Sequence, residues 1–208
     1  MKVLLINGSP RAKGTTNRAL EEVAKTLEGN GIEAEIFQLG AKSINDCIGC
    51  MQCRNLKNRC IFDDDVVNEI IEKAESCDGF IFGTPVYYAH PSARILAALD
   101  RVFYAGSSVF AYKPAAAVAV ARRAGTVASF DVLNKYFTIA RMPVVSSTYW
   151  NNVHGACAAD AEQDLEGMQT MRNLGNNMAW IMKCIESGKQ NGITPPESER
   201  GNRTNFIR

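Results

Sequence analysis

The sequence predicts an α/β chain: a three-layer, doubly wound parallel sheet of five strands with helices on both faces. Three observations carry that prediction. Short apolar runs alternate along the chain with segments whose apolar residues recur at helical spacing. A polar, glycine-bearing turn joins the first run to the first helical segment. No linker, composition shift or internal repeat divides the 208 residues, a length suited to one such domain.

The first strand covers residues 2–7 and ends in Asn7-Gly8-Ser9-Pro10. Ala19, Leu20, Val23, Ala24 and Leu27 then share a helical face, and Gly29-Asn30-Gly31 stops that helix. Ile32 to Leu39 alternates as a second strand, after which residues 40–63 break the rhythm. A second helix is expected to begin near Asp63-Asp64-Asp65, whose carboxylates suit the positive end of a helix dipole. Its buried stripe is Val66, Val67, Ile70, Ile71, Ala74 and Cys77.

Gly79-Phe80-Ile81-Phe82-Gly83 reads as a buried strand leading into Thr84-Pro85-Val86-Tyr87-Tyr88. A third helix follows on Ile95, Leu96, Leu99, Val102 and Phe103. Residues 115–121, all alanine and valine, form a fourth strand whose small side chains allow close helix packing on both faces. A helix is expected from about 127 to 140, and Pro143-Val144-Val145 starts a fifth strand. Asp160 to Gln163 resembles a capping box ahead of a long final helix lined by Met168, Met171, Leu174, Met178, Ile181, Met182 and Ile185. The domain is expected to span residues 1–190. The tail, 191–208, should be mobile unless something pins it.

Bulk properties exclude several roles. A hydrophobic content of 46% and a charged content of 22% are ordinary for a globular chain. Twenty-three Lys and Arg against 22 Asp and Glu give a net charge of +1, which offers no electrostatic reason to expect nucleic acid or an anionic membrane. No run of about 18 apolar residues exists to span a bilayer. Val3-Leu4-Leu5-Ile6 is too short for a signal peptide, so the expected location is the cytoplasm. Seven cysteines, an odd number in a reducing compartment, do not read as a disulfide framework. Asn202-Arg203-Thr204 matches a glycosylation acceptor, which has no meaning without secretion.

In sheets of this kind ligands bind beyond the carboxyl ends of the strands. Three loops fall there. The first, Gly8 to Asn17, leads into a helix N-terminus, where free N–H groups and partial positive charge favour phosphate. Ser9, Thr15, Thr16 and Asn17 add donors and Arg11 adds charge. A P-loop needs four residues between its glycines and a lysine after the second; here five separate Gly8 from Gly14, and Thr15 follows. Gly-x-Gly-x-x-Gly is absent. A mononucleotide phosphate held without metal fits better, the alternative being a polar turn with a helix cap. The second loop, Pro85 to His90, is a proline-stiffened backbone with two tyrosines that can border a flat ring or simply cover apolar surface. The third, Arg122-Arg123-Ala124-Gly125, sets cations and a flexible glycine at the same edge, or two solvated arginines.

Cys47-Ile48-Gly49-Cys50-Met51-Gln52-Cys53, with Cys60 further on, is the other distinctive feature. Three thiolates wrapped around one side with a more distant fourth satisfy the count for a [4Fe–4S] cluster. The proline that follows the last ferredoxin cysteine is missing, and Ile61 stands there. Zinc sites pair two separated Cys-x2-Cys arms, a poorer match. Cysteines used as small core residues are a third reading. Cys77, Cys157 and Cys184 read as structural.

Gly-Ser-Pro-Arg with the following Gly-Thr-Thr-Asn, the cysteine loop ending before Asp64-Asp65, and Gly-Thr-Pro-Val-Tyr-Tyr together resemble the NADPH-dependent FMN reductase and iron–sulfur flavoprotein family over nearly the whole chain. The resemblance implies a flavodoxin-like fold with a cysteine-rich loop, residues 42–63, inserted after the second strand. It implies that Ser9, Arg11, Thr15, Thr16 and Asn17 hold the FMN phosphate. Pro85, Val86, Tyr87 and Tyr88 would edge the isoalloxazine, with Arg122, Arg123 and Gly125 against the ring from the third loop. Cys47, Cys50, Cys53 and Cys60 would hold the cluster. It also implies a homodimer or homotetramer. His154-Gly155, after Tyr149-Trp150-Asn151-Asn152, lies where a flavin could be capped, or is a surface loop stabilised by aromatics.

The expected function is an oxidoreductase that passes electrons from NAD(P)H, a transient substrate, through FMN to a small acceptor such as free flavin or a quinone. No side chain is assigned a proton-transferring role, because the flavin supplies the chemistry. An electron carrier that accepts from ferredoxin is the alternative. A redox-sensing module ranks third, since the phosphate loop would then have no task.

Overall fold

The computed structural model describes residues 1–199 and 201–207. Five parallel strands make the central sheet: β1 (Lys2–Asn7), β2 (Glu33–Gln38), β3 (Gly79–Tyr87), β5 (Ala115–Ala121) and β6 (Asn152–His154), in the order β2-β1-β3-β5-β6. A two-residue strand, β4 (His90–Pro91), folds back antiparallel on the end of β3. The helices are α1 (Thr15–Gly29), α2 (Val67–Glu75), α3 (Ala93–Phe110), α4 (Thr126–Ile139), α5 (Ala158–Gln163) and α6 (Leu165–Gln190). The expected doubly wound class is therefore the observed one.

Strand alternation distributes the core. Leu4, Ile6, Phe80, Phe82, Ala115 and Ala117 face one side, against α2, α3 and α4. Val3, Leu5, Ile81, Ala116, Val118 and Val120 face the other, against α1 and α6. All seven residues of β5 are buried, as expected for a central strand covered on both faces. β1 and β3 pair side by side, and just past their last paired residues the Gly8 N–H donates to the Gly83 carbonyl at 2.8 Å. A Cβ on Gly8 would stand 2.8 Å from that same oxygen.

The fifth strand departs from expectation. Residues 143–145 contribute only a bridge, Val144 opposite Ala115. The chain then leaves the sheet for α6: Ser147 Oγ donates to Thr170 O at 2.7 Å and Asn177 Nδ2 to Ser146 O at 2.8 Å. The Asn151 side-chain amide takes the Ala117 carbonyl at 3.0 Å, in place of a strand N–H. Pairing resumes only where Asn152–His154 meets Ala119–Ala121.

Two helix starts also move. The turn of aspartates precedes α2, which begins at Val67, with Asp65 Oδ1 accepting the Val67 N–H at 3.1 Å. The final helix is broken at Asp164, whose carboxylate accepts the Gly167 N–H at 2.9 Å and caps α6. Asp160 does not cap the long helix; it sits inside α5 and reaches back to the Ala156 N–H at 2.9 Å. The tail is tied to its own chain as far as Ser198, through Tyr112 Oη to Pro196 O at 3.1 Å and Arg141 Nη1 to Ser198 Oγ at 2.7 Å. Among the described residues no helix is long and apolar enough to cross a membrane.

Candidate functional site

A crevice of about 390 Å³ opens at the carboxyl ends of β1, β3 and β5. Its floor is the turn after β1. Buried Asn7 accepts the Ser9 N–H at 3.0 Å, and Ser9 Oγ accepts the Arg11 N–H at 3.1 Å. Gln38 Nε2 donates to the Ser9 carbonyl at 2.5 Å. These bonds fold the turn so that Ser9, Arg11, Lys13 and Gly14 line the crevice together with Thr15 and Thr16.

The start of α1 is left open to an anion. Gly14 is its N-cap, so no side chain satisfies the first N–H groups, and the first turn carries no acidic residue. Ser9, Thr15 and Thr16 are buried, and all three line the crevice. Arg11, Lys13 and Arg122 supply positive charge around the opening. Buried hydroxyls, uncapped amides and cations without a carboxylate can hold a phosphate; a divalent ion would find no acidic ligand at this helix start.

The other walls divide the expected residues. Pro85, Val86, Tyr87 and Arg122 line the crevice. Tyr88 does not: it is fully exposed with a left-handed backbone, φ 50°. Arg123 is exposed and lines nothing here. Gly125 lies behind the wall as the N-cap of α4, packed on Val86 and Ala89. Asn17 also lies outside the lining; its carboxamide accepts from Asn7 at 3.4 Å and donates to Glu21 at 2.6 Å. Gly155, Ala156, Cys157 and Ala158 supply a wall that the sequence reading only touched at Gly155. Cys157 is exposed there and not core; Cys184 is exposed too, and of the three extra cysteines only Cys77 is buried, its thiol pushed up by that burial.

Cys47, Cys50, Cys53 and Cys60 line one small apolar cavity beside the middle of α3, closed by Arg101, Tyr104 and Ala105. Gly49 and Met51 turn the loop with left-handed backbones, φ 64° and 58°. Asn68, buried on α2, braces the fourth cysteine: its Oδ1 accepts the Cys60 N–H at 2.8 Å and its Nδ2 donates to the Cys60 carbonyl at 3.1 Å. Among the described residues no three metal-ligating side chains are gathered tightly enough for one metal ion. The four thiols share one cavity wall, and four is the thiolate count that a [4Fe–4S] cluster takes.

This fold, with a phosphate-ready crevice at the carboxyl ends of its strands, defines a flavodoxin-like flavoprotein. The pattern of the NADPH-dependent FMN reductase family matches residues 1–156. The chain belongs to that family: it is an FMN-binding, NAD(P)H-dependent oxidoreductase. An iron–sulfur flavoprotein of Methanocaldococcus jannaschii is 34% identical over 197 residues, 89% of this chain and 100% of the relative. One of Methanosarcina thermophila is 26% identical over 91% of this chain and 99% of its own length. An archaeal flavodoxin shares the fold at a TM-score of 0.60 and 12% identity, covering 88% of this chain and 99% of its own.

Proposed function

We propose that the crevice binds FMN with its phosphate at the start of α1, and that the cysteine cavity holds a [4Fe–4S] cluster. Electrons enter from NADPH or NADH and leave to a small acceptor, free flavin or a quinone. The observation that carries the reading is the uncapped, acid-free N-terminus of α1, with Ser9, Thr15 and Thr16 buried beside it.

Bound FMN would supply the redox chemistry, an exchange of electrons singly or in pairs. The protein's residues orient it. Ser9, Thr15 and Thr16 donate to phosphate oxygens, and Arg11 balances their charge. Pro85, Val86 and Tyr87 would border the ring, and the Arg122 cation on the same crevice wall would favour negative charge on a reduced flavin. Of the residues implied by resemblance, Asn17, Tyr88, Arg123 and Gly125 lie outside the crevice lining and are given no direct contact with FMN. No nicotinamide motif exists, so the donor stacks transiently over exposed flavin. The working form is a cytoplasmic homodimer or homotetramer.

A second reading starts from the four-cysteine wall, since a cluster beside a flavin suits single-electron transfer: an electron carrier that accepts from ferredoxin. Protein purified without air separates the two. The first reading expects flavin and cluster absorption, with the flavin band bleached by NADPH or NADH. Bleaching by reduced ferredoxin but by neither nicotinamide selects the second. A colourless protein that takes up no added FMN contradicts both.

A further inference from the structure

Arg101 is the largest fully buried side chain, 1% exposed, and projects from α3 into the wall of the cysteine cavity. Its guanidinium spends its donors on three pieces of the cysteine loop and on the turn before α2. Nη1 donates to Asn45 O at 3.1 Å and to the Asp65 carboxylate; Nη2 donates to Phe62 O at 3.1 Å. Asp65 is buried too, and also accepts the Asn45 N–H at 3.2 Å. The Nε–H is aimed at Cys60 Sγ at 3.3 Å. The guanidinium also lies over the Phe62 ring, 5.2 Å from its centre.

A clamp alone would need only the carbonyls and the carboxylate. The planar fork of arginine, with its fixed donor directions, does more: while two nitrogens hold the loop, the third faces sulfur. Asp65 keeps the buried charge paired, so the N–H can point at the thiolate side without leaving a bare cation in the core. Cys60 is also the cysteine separated from the Cys47–Cys53 run, and Asn68 holds its backbone.

We infer that Arg101 is a positioning residue for the cluster: it fixes Cys60 as the fourth ligand, and its N–H to that sulfur raises the cluster's reduction potential. The inference rests on the cluster reading above. A hydrogen bond to a ligand sulfur favours the more electron-rich, reduced form, and it acts strongly where water is excluded.

The test is a spectroscopic redox titration of holoprotein, wild type and Arg101→Lys, with iron content measured on both. Lysine keeps the charge but not the fork. The expected result is retained iron, a cluster potential lowered relative to wild type, and an unchanged FMN potential, since Arg101 is not among the residues lining the FMN crevice. Equal cluster potentials overturn the inference while leaving the cluster reading intact. Wild-type protein purified without air that lacks iron and sulfide overturns both. If the variant does not fold, wild-type protein labelled with 15N-arginine decides: a nitrogen coupling to the reduced cluster in pulsed EPR is expected, and its absence overturns the inference.

Discussion

Gly125 stands so close to Ala89 that a Cβ on it would lie 2.6 Å from the Ala89 Cα. Its φ of 93° is in the left-handed region that glycine tolerates best. Gly125 thereby locks the loop before α4 against the loop after β3, the two segments that flank the flavin ring in the proposed complex. Replacing Gly125 by alanine should push the 85–89 segment away and weaken FMN binding by about tenfold, the equivalent of ~1.4 kcal/mol. Quenching of FMN fluorescence on titration measures this; an unchanged Kd would refute the coupling.

Gly8 has a different role. A Cβ there would meet Gly83 O at 2.8 Å and Ile95 Cδ1 at 2.8 Å, one of them immovable backbone. Gly8→Ala should cost about 1–3 kcal/mol of stability, as overpacked sites do. Urea unfolding followed by far-ultraviolet circular dichroism checks it; a midpoint equal to wild type would show that β1 and β3 can part at no cost.

Thr16 is 2% exposed at the crevice floor. Thr16→Val keeps the shape and removes the hydroxyl. Loss of one hydrogen bond to an anion should weaken FMN about tenfold, while binding of riboflavin, which has no phosphate, stays unchanged. Equal weakening of both would place the hydroxyl's effect elsewhere than on phosphate.

Glu22 links α1 to α6, accepting from Arg172 Nη1 at 2.7 Å and from Arg18 Nη2 at 2.9 Å. Burial opposes its ionisation, yet hydrogen bonds from Arg172 and then Arg18 outweigh that and hold its pKa below the ordinary 4.5. The sign follows: the folded state binds this proton less readily than the unfolded chain, so the stabilisation is complete above 4.5 and is lost as pH falls through the folded value. Glu22→Gln should be less stable than wild type by about 1 kcal/mol at neutral pH. The gap should close in acid, and urea midpoints across that range should converge. A constant gap would mean the carboxylate's charge contributes nothing.

Most of the sheet was legible because β1, β3 and β5 are apolar runs closed by turn residues. The edge strand was not. Val144 and Val145 carry the apolar signal, but the strand that pairs is Asn152-Val153-His154, where two of three residues are polar. What diverts the chain is side-chain hydrogen bonding from Asn151, Ser147 and Asn177, which no periodicity reports. The turn expected to hold phosphate does line the crevice, whereas Asn17 lies outside it, because its partner Asn7 comes from the strand before the turn. Cys157 sits near no motif, and its placement at the crevice follows from the break at Asp164 and the short helix ahead of it. Arg101 carried no signal beyond its place among the buried positions of α3.

In the proposed complex the turn from Gly8 to Thr16 clasps a phosphate without magnesium. Parallel calorimetric titrations of the apoprotein with FMN and with riboflavin, each with and without EDTA, test it most directly. FMN should bind one per chain and far more tightly than riboflavin, with no effect of the chelator. Equal affinity for the two flavins, or FMN binding abolished by EDTA, would contradict it.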